Sequence, residues 1–265
     1  MRARHAAAVL ALIAAASAPF AWSAPTAEAA ALAEIRERGV FAVCAHPDAL
    51  PYSSQDRLLP GFQIELAEAL AKQLGVRLRV EWIVFTRHAR RAECDATIGS
   101  IVKDDEGGGP RRGPRQTRPY ISSGYVLVVP VASRPVEHLE DLKGKVGVEH
   151  TSWPHYVLDR RKIPLASFGN SVEILDAVAR HEVAAGLVSD AYAGWYLKLN
   201  PGALKISDAY VPEKDFRWNV AVALRNSDTA LVDAVNQALD SLAADRTLAA
   251  ILGRYGITYR PPIAR

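Results

Sequence analysis

The stretch that decides the fold is residues 40–80, VFAVCAHPDALPYSSQDRLLPGFQIELAEALAKQLGVRLRV. Its first six residues are short, apolar and stopped by His46-Pro47-Asp48, the pattern of a strand buried on both faces. A Pro-rich loop follows to Pro60-Gly61. Phe62, Leu66, Leu70 and Leu74 then recur every four residues until Gly75, which predicts one apolar face of a helix with a glycine stop. Residues 76–84 predict a second strand. Outward from there, residues 87–93 predict a short helical crossover and 95–99 a third strand. Upstream, the Ala-rich segment 29–38 predicts a helix closed by Gly39 in the left-handed cap position. This alternation predicts a parallel sheet covered by helices, whose right-handed crossovers leave ligand loops at the carboxyl ends of the strands.

Residues 103–118 are Gly-, Pro- and Arg-rich and predict a loop, 125–131 a strand, and 139–145 a short helix and turn. A second alternating set comprises strand 146–149, helices near 153–160 and 171–181, and strand 185–189. Residues 218–224 predict another strand. Two closing helices carry Leu231, Val235, Leu239 and Leu242, then Leu248, Ile251, Leu252 and Tyr255. These have no sheet of their own, so the tail is expected to return to the first block. The expected organisation is α/β with two lobes: 25–126 and 213–265 form the first, 127–212 the second. The crossings fall near 125–128 and 208–217.

The amino terminus has its own pattern. Arg2 and Arg4 precede an apolar stretch at 6–16, followed by small residues through Ala24, the order of a secretory signal. Residues 1–24 are therefore expected to be a signal peptide, cleaved between 18 and 30 and placed here after Ala24. The apolar run is too short to span a bilayer, which weighs against an uncleaved anchor. The chain has 32 basic and 29 acidic residues; without Arg2 and Arg4 the balance is 30 against 29. Near-neutrality argues against nucleic-acid and anionic-membrane partners. With 265 residues, 49% of them apolar, the chain can bury a substantial core, which excludes disordered, collagen and coiled-coil classes.

Catalytic signatures are sparse. No G-x-S-x-G, H-E-x-x-H, phosphate-loop or dinucleotide fingerprint occurs, and no cofactor is expected. Gly107-Gly108-Gly109 lacks a preceding strand and a Lys-Ser/Thr pair, and reads as linker. His150 and His155 can approach one another, but two ligands do not make a metal site, and no metal is expected. Cys44 and Cys94 are an even pair, which export would permit to form a disulfide. Placing one near the carboxyl end of its strand and the other near the amino end of its own separates the sulfurs by roughly ten ångströms, which argues against the bond. The Arg111, Arg112, Arg115, Arg118 cluster is either a solvated loop or a source of one guanidinium, Arg118, aimed at an acidic ligand.

In their order, these segments resemble the family 3 extracytoplasmic solute-binding proteins, with the type II periplasmic binding fold. The resemblance runs from about residue 32 to 257. It rests on Pro51-Tyr52-Ser53, Pro60-Gly61-Phe62-Gln63-Ile64-Glu65-Leu66, Cys94-Asp95-Ala96-Thr97-Ile98-Gly99, Arg118-Pro119-Tyr120, Lys143-Gly144-Lys145-Val146-Gly147-Val148 and Val188-Ser189-Asp190. Residues 43–53, Cys94-Asp95, residues 117–120 and residues 190–196 are similar to the subgroup associated with pyrroloquinoline-quinone alcohol dehydrogenases, the J proteins of methanol oxidation. Residues 107–115 depart from the amino-acid-binding pattern, because no Thr stands in register for its T-x-x-R.

The resemblance implies a ligand held between lobes that close on two hinge strands. Tyr52 would be an aromatic wall, with Ser53, Gly99 and Ser100 beside it. Thr151 and Ser152 would supply donors at a helix start, and Asp190 would take an amine, unless it serves as a helix cap. Tyr52 and Trp153 would line the cleft or simply pack. Three functions follow. One is an exported periplasmic monomer that binds a small polar or acidic solute, for an ABC permease or in support of a quinoprotein dehydrogenase. The second is a dehydratase-like enzyme using Glu149 or Asp190. The third is an interaction module that grips a partner segment.

Overall fold

A computed structural model describes residues 30–84, 88, 91–102 and 114–264. The expected signal segment, Arg87, Ala89 and Arg90 of the 87–93 crossover, Gly107-Gly108-Gly109, Arg111 and Arg112 lie outside the described residues.

The first block forms as its periodicity requires. Helix α1 (Ala30–Arg38) stops at Gly39, whose φ of 65° is left-handed, and the chain enters β1 (Val40–Ala45) at once. After two short strands, β2 (Asp48–Ala49) and β3 (Ser53–Ser54), helix α2 (Phe62–Gln73) begins behind Gly61. Only glycine fits there: φ is 90°, and a Cβ would strike the Tyr52 carbonyl. Phe62, Leu66 and Leu70 are buried. Strands β4 (Arg77–Trp82) and β5 (Ala96–Ile101) both run parallel to β1.

A short strand, β6 (Arg115–Gln116), leads to the ten-residue β7 (Ile121–Pro130). Beyond it come β8 (Val146–Glu149), α3 (Trp153–Arg160), β9 (Leu165–Phe168), α4 (Ser171–Ala179), β10 (Ala185–Ser189), α5 (Asp190–Leu199) and β11 (Leu204–Ile206). The chain closes with β12 (Arg217–Leu224), α6 (Thr229–Ala244) and α7 (Thr247–Arg254). The sheet order is β4-β1-β5-β12-β7-β10-β8-β9, with β11 on β7 and β6 on β12. Parallel pairing holds at both ends of this order, whereas β12, β7 and β10 pair antiparallel in the middle.

Strands β9 and β11 were not expected. They are short, and β9 is half-exposed, so neither shows a continuous apolar run. Strand β7 starts four residues before the predicted 125, because Ile121-Ser122-Ser123-Gly124 pairs with β12 despite its polar composition.

Buried Phe41, Leu66 and Leu70 share one core with Val222, Leu239 and Tyr255 from the end of the chain. Two further clusters flank β7, β8 and β10, one around Leu127, Val146 and Leu187, the other around Ile174, Val178 and Val188. The continuous sheet is thus covered by separate interiors, joined through β7 and β12.

Cys44 and Cys94 form a disulfide, with Cα atoms 5.5 Å apart, contrary to the separation argued from strand ends. Level strands would have kept the sulfurs apart. In fact Val43 pairs with Ala96, so β5 begins beside the second half of β1. Asp95 fixes this offset: its amide donates to the Ala42 carbonyl at 2.8 Å, and its carboxylate accepts the Ala42 amide at 2.7 Å and the Arg38 guanidinium.

Candidate functional site

The carboxyl ends of β1, β5, β8 and β10 face a common cleft, and the loops after them carry the candidate residues. On one wall the Tyr52 ring packs on Phe62, with centroids 5.2 Å apart, and on Tyr192 of α5 at 5.4 Å. Its hydroxyl lies 3.2 Å from the Ser189 hydroxyl. Tyr52 therefore both packs and bridges the walls. Burial above all raises its pKa, so it stays a neutral hydrogen-bonding phenol. Burial, and then the Glu149 charge, also raise Tyr125 and Tyr192. The cleft is aromatic with a negative bias.

At Gly99 the Gln63 amide occupies the space where a Cβ would be. Between these walls lies a cavity of about 150 Å³. Phe62, Tyr120, Val220 and Leu252 give it an apolar floor; Gln63, Ser123 and Asp190 give it polar edges. Neither Ser123 nor Trp218, which also lines it, was anticipated. Both sit on strands whose alternation signals pairing and carries no sign of a site.

On the second wall, Ser152 caps α3 by accepting the His155 amide at 3.2 Å. Thr151 has a left-handed φ of 58°, and its amide donates to His155 Nδ1 at 3.0 Å. Trp153 turns outward, 46% exposed, and stacks on Tyr156. Glu149 accepts a 2.5 Å hydrogen bond from Ser171.

Asp190 is the first residue of α5, and the cap is Ser189, which accepts the Tyr192 amide at 3.5 Å. The Asp190 carboxylate instead accepts from Ser123 Oγ at 2.7 Å and lies 3.5 Å from Arg260 Nη1. Desolvation raises its pKa; Ser123, Arg260 and the backbone of Gly124 and Ala191 oppose that shift. Arg260 lies beyond the segment carrying the resemblance, in a Pro-containing tail without periodicity.

Three expected ligand contacts are used elsewhere. Ser53 is 2% exposed and donates to the His46 carbonyl, which fixes the loop after β1. Ser100 accepts from Gln116 at 2.7 Å. Arg118 points away from the cleft and pairs with Asp240 of α6 at 2.6 Å, because its own amide is anchored on Asn236 of the same helix. His150 and His155 have ring centroids 5.4 Å apart, and among the described residues no group of three or more His, Cys, Asp or Glu converges on a metal position.

A cleft framed by strand ends on either side of two antiparallel crossing strands is the geometry of a two-lobed binder, and residues 41–258 match one family throughout. The chain belongs to the bacterial extracellular solute-binding proteins, family 3. It is 25% identical over 231 residues to the L-cystine-binding protein TcyJ of Escherichia coli (strain K12), covering 83% of this chain and 84% of that one. It is 24% identical over 200 residues to the ABC transporter arginine-binding protein 1 of the same strain, covering 71% and 77%. A shorter segment of 58 residues is 40% identical to an uncharacterised protein in the cycB 3' region of Paracoccus denitrificans, covering 22% of this chain and 68% of that one.

Among solved structures, the L-cystine solute receptor of Neisseria gonorrhoeae in the unliganded open conformation has a TM-score of 0.71 at 20% identity. It covers 88% of this chain and 99% of its own. This likeness places the chain in the two-lobed type II periplasmic binding fold. The two Escherichia coli relatives are named as binding proteins. Among the described residues no helix is long and apolar enough to cross a membrane.

Proposed function

We propose that this chain is the extracytoplasmic binding component for a small polar solute, an amino acid or close derivative, which it receives between two lobes and presents as a monomer to an ABC permease. Residues 25–126 and 213–265 make the first lobe and 127–212 the second, with export directed by residues 1–24. The observation that carries this reading is the meeting of polar groups from both walls at one apolar-floored cavity: Tyr52 and Gln63 line it on one side and Asp190 on the other, and the Tyr52 hydroxyl meets Ser189. The names of the relatives supply the solute class, cystine and arginine among them. No covalent step is invoked, since Glu149 is engaged by Ser171 and Asp190 by Ser123.

Thermal unfolding of the purified mature protein against L-cystine, L-arginine and L-glutamine tests the proposal. A solute at a hundred times its dissociation constant adds about 2.7 kcal/mol of stability. A saturable rise in melting temperature supports the reading, and no shift with any amino acid overturns it.

A second reading, an accessory to a quinoprotein dehydrogenase, draws on the subgroup-like segments and on a local match of 40% to a relative not named as a transport protein. Co-purification of such a dehydrogenase, with no amino-acid shift, would favour it.

A further inference from the structure

Asp190 begins α5, yet both side chains that hold it come from other elements. Ser123 donates from β7, Arg260 reaches in from the carboxyl-terminal tail, and the amides of Gly124 and Ala191 also favour the charged form. Each carboxylate oxygen thus already carries a side-chain donor, Ser123 on Oδ1 and Arg260 on Oδ2. An incoming ammonium meets an occupant at either one.

The four donors differ in how easily they leave. Ser123, Gly124 and Ala191 are fixed by the hinge strand or by adjacency in the chain. The Arg260 side chain is 41% exposed, against 12% for Asp190, and its contact is long at 3.5 Å. Its backbone is held independently. The Ser122 amide donates to the Arg260 carbonyl at 3.0 Å, and the buried Asn219 side chain donates to the Ile263 carbonyl and accepts the Ile263 amide at 3.0 and 2.8 Å. The guanidinium can therefore swing out while the tail stays in place.

We propose that Arg260 is a specificity-determining residue, a resident counter-ion that occupies the cation position at Asp190 in the free protein and must be displaced by the ammonium of an entering solute. This rests on the reading of the cleft as a solute site. Every ammonium-bearing solute then binds against an internal competitor, whereas a neutral or purely anionic one gains nothing at this position.

The test uses the mature protein, Arg260→Ala and Arg260→Gln, titrated with methylammonium and followed by the Asp190 carboxyl carbon resonance. Loss of an exposed competing ion pair should tighten methylammonium binding by about fivefold in both variants. L-arginine should tighten likewise, and acetate should not. Equal or weaker methylammonium binding in both variants overturns the proposal. If the methylammonium difference appears while no amino acid binds any form, the counter-ion stands and the amino-acid reading falls. If L-arginine binds wild type and both variants alike, the reading stands and the counter-ion falls.

Discussion

The two walls of the cleft are built on different plans. The first is braced mainly from within its own lobe, although the Tyr52 hydroxyl also meets Ser189. Gly61 donates its amide to the Tyr255 hydroxyl at 2.9 Å, that hydroxyl donates to Glu65 at 2.7 Å, Ser53 clamps the loop after β1, and the Tyr52 ring lies on Phe62. The second wall is looser. Thr151 sits in a strained conformation, Trp153 faces outward, and Asp190 is held by side chains from the hinge and the tail. A wall braced within its own lobe thus faces one held by a crossing strand and the carboxyl-terminal tail.

The largest effect should come from the foundation of the first wall. Replacing Cys44 and Cys94 by alanine removes a crosslink spanning 50 residues and should lower stability by about 2–4 kcal/mol in urea unfolding. A loss under 1 kcal/mol would show that the Asp95 contacts alone hold the register of β1 and β5.

Tyr255→Phe comes next. It strands the buried Gly61 amide and should lower stability by about 2 kcal/mol, read from the same unfolding curves. A neutral outcome would mean that the first wall is no more firmly built than the second.

Thr151→Gly works in the opposite direction. It relieves a β-branched residue at φ 58° and should raise stability by about 1 kcal/mol. A loss would assign the Thr151 conformation a stabilising role that its contacts do not display.

The smallest effect is a pH dependence. The folded pKa of Asp190 is raised above the ordinary 3.8, so the native state holds the proton more tightly than the unfolded chain does. Its contribution to stability is present below 3.8 and is lost as pH rises through the folded value. Asp190→Asn should flatten that decline, measured as melting temperature from acid toward neutral pH. Arg260→Ala should steepen it, because the guanidinium opposes the raised pKa. Parallel profiles for all three would place Asp190 in no special environment.

What the sequence conveyed depended on how many residues shared a signal. The helix from Phe62 and the strand from Val40 were legible because several apolar side chains repeat one instruction. Edge strands β9 and β11 carry too few residues for that, and the disulfide depended on a register offset that no local pattern encodes. At the cleft, Tyr52, Gly99 and Asp190 stand at strand ends, where topology places ligand loops. Ser53 stands there too but turns inward, since its hydroxyl finds the His46 carbonyl first. Arg260 was illegible: its role comes from one side chain at the end of an aperiodic tail.

The pairing of Gly124 with Arg217 has a mechanical consequence. Strand β7 leaves the β12 pairing at Gly124 and joins β10 from Tyr125, while β12 itself begins at Arg217. The two crossings therefore sit side by side, and a Cβ on Gly124 would meet the Phe216 carbonyl. They form one axle rather than two independent joints. A turn of one half of the sheet on the other would run about that single line, and Gly124→Ala would set a Cβ against it while leaving both interiors untouched.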